Sequence, residues 1–326
     1  MRSSEARATG ILVGLILVFA AAQQAAAQDF PHKPIRIIVA AGPGGPSDIP
    51  ARLAAQILQA KFGQPVVVEN RAGAAGTVGA RFVATSAPDG YTLLVGNTTV
   101  LATQPAVSAS AGFDPNSFAA VAKVSVSHPV AVVSAAAPWK TMQEFLAHVR
   151  ANPGKLNYGH TGPGGLPNLS GELLKLRAGL DIVGVPFRSG SETTTAVINR
   201  GIDLTFENLT ILVPLIKEGQ LRPLVIASGT RSPLLPDLPT TKEGGVADFE
   251  VTSFNGIVAP AKTPDAIVRK LNAALNEGLQ TPQMQETIAR LGVSFSPETP
   301  EEFSRFIMAQ FLKWQAVAKA ANIRID

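Results

Sequence analysis

Cysteine is absent from the 326-residue chain, which excludes disulfides and thiolate metal sites. Aromatic residues make up only 6% of it and charged residues 16%. The 28 Lys and Arg barely exceed the 24 Asp and Glu, and no basic cluster is longer than two neighbours, so a nucleic-acid footprint is missing. The spacings GxSxG, HExxH, SxxK and CxxC are also missing, and with them the usual signatures of exported hydrolases and zinc enzymes. The longest apolar run, Ile11 to Ala22, has twelve residues, short of the about 20 needed to cross a bilayer.

That run has another reading. Arg2 and Arg7 precede it, and Ala25, Ala26 and Ala27 follow it with the small side chains a signal peptidase accepts. A secretory signal peptide cleaved after Ala27 is expected, in preference to an uncleaved anchor, with export of the chain from Gln28 onward. The remaining 299 residues carry 26 basic and 23 acidic side chains and are enough for two domains with ample cores.

Along this mature chain, short apolar runs alternate with helix-length segments. "IRIIVAA" from Ile35, "PVVVEN" from Pro65 and "YTLLVGN" from Tyr91 read as strands of a parallel sheet. The segment after the first places Leu53, Ile57 and Leu58 on one helical face and stops at Gly63. The middle third repeats the βαβ logic with "VAVVSAA", "KLNYGHT", "DIVGVPF" and "IDLTFEN". Thr141 and Glu144 have capping-box spacing, as do Thr299 and Glu302. Three Thr-Pro pairs, at 263, 281 and 299, read as hydroxyl caps followed by proline at the first helical position. Phe303, Phe306, Ile307, Phe311, Trp314 and Val317 form an apolar stripe for core packing on the last helix. Extended stretches around 119–133 and 249–260 would carry the chain from one α/β unit to another and back.

Two segments look alike at a distance of 120 residues, "VAAGPGGPSDI" from Val39 and "GHTGPGGLPNL" from Gly159. In each, an apolar strand enters a glycine-rich turn and leaves as a helix. Glycine permits positive φ and close approach to the main chain. The helix start then presents unpaired N–H groups and the positive end of its dipole, which is an anion site. Ser47 or Asp48 would cap the first helix, and Asn168 or Ser170 the second. A phosphate loop is excluded because neither turn holds a lysine, and the dinucleotide pattern fails at Ser47 and Pro167. A carboxylate needs fewer donors and fits better. Of the four histidines only His160 lies in a turn, where lining the cleft and facing solvent stand level; Asp48 and Glu207 read better as a cap and a strand-end contact than as an acid/base pair.

The blocks "FPHKPIRIIVAAGPGGPSDIPARLAAQI", "FGQPVVVENRAGAAGTVGA", "APDGYTLLVGN", "NPGKLNYGHTGPGGLPNLSGELL" and "RSPLLPDLPTTKEGG" resemble, in order and spacing, those of the tripartite tricarboxylate transporter receptors, or Bug proteins. The resemblance spans residues 29 to 326. It implies an α/β fold of two lobes, a periplasmic binding protein of type II-like build, each lobe a mostly parallel sheet flanked by helices. Lobe 1 would comprise 28–128 plus 252–326 and lobe 2 would be inserted as 129–251. The lobes would close on a small organic carboxylate and deliver it to membrane permease subunits. No enzyme activity, cofactor or metal is implied, and a monomer is expected. A sensor docking on a periplasmic signalling domain is the alternative.

Carried over residue by residue, the resemblance makes Ala40, Ala41, Gly42, Gly44, Gly45 and Asp48 the first ligand loop, alongside Pro43. His160, Thr161, Gly162, Gly164, Gly165 and Asn168 make the second, with Tyr158, Gly159 and Pro167 matching around them. Asn97, Phe187, Arg188 and Asn208 are further candidate contacts, Arg188 for a distal carboxylate. The family commonly has Pro-Phe at Ala40-Ala41, serine at His160 and histidine at Asn168. Losing a phenyl at the cleft mouth implies a ligand larger than a C4 dicarboxylate, unless Phe187 or Phe254 fills that space.

Overall fold

The computed structural model describes residues 30–325, so the expected signal peptide lies outside the described residues. Strands β1 (Ile35–Val39), β2 (Val66–Asn70), β3 (Thr92–Asn97) and β4 (Phe118–Ser127) begin a first sheet. Strands β5 (Val130–Ser134), β6 (Asn157–His160), β7 (Val183–Pro186), β8 (Leu204–Glu207) and β9 (Leu221–Ile226) form a second, and β10 (Ser253–Pro260) returns to the first. The orders are β2-β1-β3-β10-β4 and β7-β6-β8-β5-β9. Both sheets are mixed. β1 pairs in parallel with β2 and β3, and β6 with β7 and β8. The strands adjoining the crossings, β10 and β5, run antiparallel to both of their neighbours.

Helices flank these sheets: α1 (Asp48–Phe62), α2 (Thr77–Ala84) and the short α3 (Gln104–Val107), which follows a π-helical turn at Thr99–Thr103. Next come α4 (Met142–Ala151), α5 (Leu166–Ala178), α6 (Gly190–Ile198) and α7 (Leu209–Lys217), then α8 (Asp265–Leu279), α9 (Pro282–Arg290) and α10 (Pro300–Ala320). The apolar runs become strands because helices cover both faces of each sheet; β3 and β5 are buried almost throughout. The expected strands "PVVVEN" and "DIVGVPF" lie at the sheet edges, leaving Val67 and Val183 about half exposed.

The helix starts divide the expected caps. Thr299 and Glu302 form a complete capping box. At Thr141 the hydroxyl accepts from the Glu144 N–H, but Glu144 answers to the Lys140 N–H. Thr281 precedes its helix yet turns its hydroxyl back to the Gly278 carbonyl, and Thr263 likewise bonds Pro260, so that Pro264 stands at the cap. In both, the hydroxyl closes the preceding turn.

Ile37, Leu58, Leu93, Leu271 and Leu275 share the core on one face of the first sheet, while Ile38, Leu94, Phe254 and Phe303 fill the other. The expected stripe on α10 is divided between two cores. Phe303 and Ile307 pack on the first sheet, whereas Trp314, Val317 and Ala318 join Leu166, Leu169 and Tyr158 beside the second. Beyond α10, the Ile325 N–H bonds the Val107 carbonyl at 3.1 Å. The two chain crossings lie side by side. His128 Nδ1 is 2.9 Å from the Val251 carbonyl, and the Ala227 N–H donates to the Pro129 carbonyl at 2.9 Å.

Candidate functional site

At the crossings, a cavity of about 320 Å³ opens between the sheets. Ala41, Pro46, Ser47, Asn97, Thr99 and Asn255 wall it from the first sheet's side. Thr161, Leu166, Pro167, Glu207, Asn208 and Ile211 wall it from the second's. The volume sits at the small end of the ~300–1,000 Å³ typical of ligand pockets, which suits a compact solute.

Both glycine turns reach this cavity, and they are built alike. The Gly44 N–H donates to Asp48 Oδ2 at 2.9 Å, and the Gly164 N–H donates to Asn168 Oδ1 at 3.1 Å. Gly44 and Gly164 have φ of 75° and 73°, a region that an L side chain occupies at a cost. In each turn a polar side chain four residues on holds the loop shut while the helix begins. Gly42, Gly44 and Gly162 have nothing within 4 Å of the position a Cβ would take, so a ligand can approach the main chain there. Ser47, which precedes α1, makes no side-chain cap, because its hydroxyl accepts from Asn97 Nδ2 at 3.0 Å.

The two holders differ in charge. Asp48 is buried and also accepts from Arg52 Nε at 2.8 Å and Asn70 Nδ2 at 2.9 Å. Burial works to raise its pKa, but the bonds from Arg52, Gly44 and Asn70 outweigh it and keep the carboxyl below its ordinary range. Asn168 is neutral and gives Nδ2 to Tyr158 Oη at 3.2 Å. Asp48 is thus fully engaged as a scaffold of its turn.

The other candidates scatter. Ala41, Asn97, Thr161 and Asn208 stand in the cavity wall. Asn208 Oδ1 accepts from Ser127 Oγ at 3.0 Å, joining the second wall to the first crossing. Gly45 and Gly165 lie within the turns, and Ala40 backs onto Gly76 and Gly79. His160 is buried beside the cavity rather than in its wall. Its Nδ1 accepts the Gly162 N–H at 3.1 Å, and burial lowers its pKa, so the ring is neutral and bears its proton on Nε2. Phe187 packs under the second sheet, and Arg188 is exposed, off the wall.

A family profile described as tripartite tricarboxylate transporter family receptor matches residues 50–323. The chain belongs to this receptor family. Among solved structures it resembles periplasmic binding protein BugD, at 30% identity and a TM-score of 0.80 over 90% of this chain and 99% of that one. Rpa4515 of R. palustris with adipate gives 31% identity and a TM-score of 0.84 over 91% of this chain and 99% of that one. MatC (Rpa3494) from Rhodopseudomonas palustris with bound malate gives 31% and 0.80 over 88% and 99%.

Two further wall residues of the receptor, Glu207, read from the sequence as a strand-end contact, and Asn255, are not among the expected ligand contacts. Glu207 ends β8 just before α7, and burial pushes its carboxyl up to about 7, against a lowering by the Asn208 N–H. Strand end followed by helix start was the available signal. Asn255 lies inside an apolar strand with no local mark of function, and gives Nδ2 to the Pro46 carbonyl at 3.2 Å and Ser125 Oγ at 3.3 Å. Among the described residues no group of three or more His, Asp or Glu is placed to hold a metal ion.

Proposed function

We propose that this receptor captures a small organic carboxylate between two lobes in the periplasm and presents it to membrane permease subunits. The supporting observation is the pair of matched turns that meet at one cavity from two sheets. Main-chain N–H donors at two helix starts receive a carboxylate without burying a lysine. Lobe 1 (28–128 with 252–326) and lobe 2 (129–251) move about the paired crossings, and the ligand's preference for the closed form shifts the population toward it. The C-terminal half of α10, seated on the second core while the first half packs on the first sheet, travels with that movement.

Phe254 is enclosed by Phe303 and Phe306, and neither it nor Phe187 stands in the cavity wall. The space left by Ala41 is therefore available to a ligand bulkier than a C4 dicarboxylate. The test is a thermal-shift panel of aliphatic, aromatic and amino-acid carboxylates on residues 28–326, stripped of copurified solute. A ligand at 100 times its Kd adds about 2.7 kcal/mol, which moves the melting temperature by degrees. A rise with one class, absent for its amides, is expected. No rise across the panel would refute the reading.

A further inference from the structure

Two buried acceptors in the cavity wall lack a donor. Oε1 of Glu207 and Oδ1 of Asn255 have no hydrogen-bond partner among the described residues, and the two side chains are only 7% and 8% exposed. The Asn255 amide cannot turn around to relieve this, because its nitrogen faces the Pro46 carbonyl, which only accepts. Gly190, itself in the wall, packs against the Glu207 carboxyl, and a Cβ there would stand 2.7 Å from Oε1. Buried polar atoms are ordinarily paired, and leaving one unpaired costs about 1–3 kcal/mol, so two in one small cavity point to a partner that arrives from outside.

The partner's charge follows from the wall. It contains no Lys, Arg or His. A solute carboxylate held by main-chain N–H groups would share the closed cavity with the Glu207 carboxyl and no counter-charge. A second carboxylate on the solute would make matters worse. An ammonium would supply the counter-charge the wall lacks, and its several N–H groups suit acceptors offered from opposite walls. The raised pKa of Glu207 agrees, since it records a carboxyl with no cation nearby.

We propose that Glu207 and Asn255 form a donor-recognition subsite, in which a protonated amine on the bound carboxylate gives its N–H groups to Glu207 Oε1 and Asn255 Oδ1. The proposal rests on the carboxylate-receptor reading above and narrows it to amino-substituted carboxylates. Isothermal titration calorimetry with paired probes tests it: L-glutamate against glutarate, and ε-aminocaproate against heptanoate, so that each pair differs at the amine. The amine-bearing member of at least one pair should bind about tenfold tighter or more, and Glu207→Gln should reduce that preference to about twofold. Asn255→Ala should reduce it by a smaller factor. Unliganded melting of each variant at pH 5 serves as the folding control.

If a donor-free member binds as tightly as its partner, or the preference survives Glu207→Gln, the subsite is wrong while the carboxylate reading stands. If all four probes fail and another carboxylate binds, the outcome is the same. Failure of every carboxylate would overturn both.

Discussion

Glu207→Gln also has a consequence in the absence of any ligand. A carboxyl pushed from its ordinary value of 4.5 to about 7 prefers to stay protonated in the folded protein. Below the ordinary value both folded and unfolded chains hold that proton and nothing is lost. As pH rises, the unfolded chain ionises first, and stability falls until the folded carboxyl ionises near 7. The fall converts to about 3 kcal/mol. No cation among the described residues offsets it: Val130 pairs with Glu207 across the sheet, Gly190 lies against it, and Arg188 and Glu192, the charged residues that flank Gly190 in the chain, are exposed. The glutamine variant cannot ionise, so its stability should gain about 3 kcal/mol on the wild type between pH 5 and pH 8, whatever the amide costs at both. Urea unfolding of the stripped protein at the two pH values measures this directly. Parallel pH profiles for wild type and variant would refute the isolated buried carboxyl.

The two turns should respond unequally to alanine. Gly44→Ala meets open space and costs about 1–2 kcal/mol of backbone strain, whereas at Gly164 the same change drives a Cβ to 2.6 Å from both Ile325 and Val107, so urea unfolding should show the larger loss there. Asp48→Asn, which copies the arrangement at Asn168, should keep the turn closed, while Asp48→Ala releases the Gly44 N–H and costs about 1–3 kcal/mol. Because the Asp48 carboxyl is held low, its contribution is present at neutral pH and lost as pH falls through and below the ordinary carboxylate range; an acid titration of Asp48→Asn should lack that component. Arg188→Ala should change ligand Kd by less than about twofold in calorimetry, since the exposed side chain is away from the wall.

What the sequence makes legible here is whatever one segment decides by itself. The apolar runs of β1, β3 and β5 announce strands, and the twin glycine turns announce a shared purpose, because both signals are local. Edge or centre is not local: "PVVVEN" is as apolar as its neighbours, and only the strand order leaves Val67 outside. The Thr-Pro pairs show the same limit, since a hydroxyl can cap forward or close the turn behind it, and Thr263 and Thr281 do the latter. That Glu207 and Asn255 share one cavity is illegible for the strongest reason. Each is an ordinary polar residue in its own strand, and the cavity exists only because two crossings bring their sheets together.

The attachment of Ile325 to Val107 and its closeness to Gly164 matter for anyone who builds on this protein. The chain's last turn touches a segment from each sheet, so it sits at a joint. A purification tag or fusion partner placed there would press on the second glycine turn, and binding should be measured with such handles at the opposite end. The same position is useful for a reporter: an environment-sensitive dye on a cysteine introduced at Asn322 would be unique in a cysteine-free chain, and its emission would read ligand capture in real time.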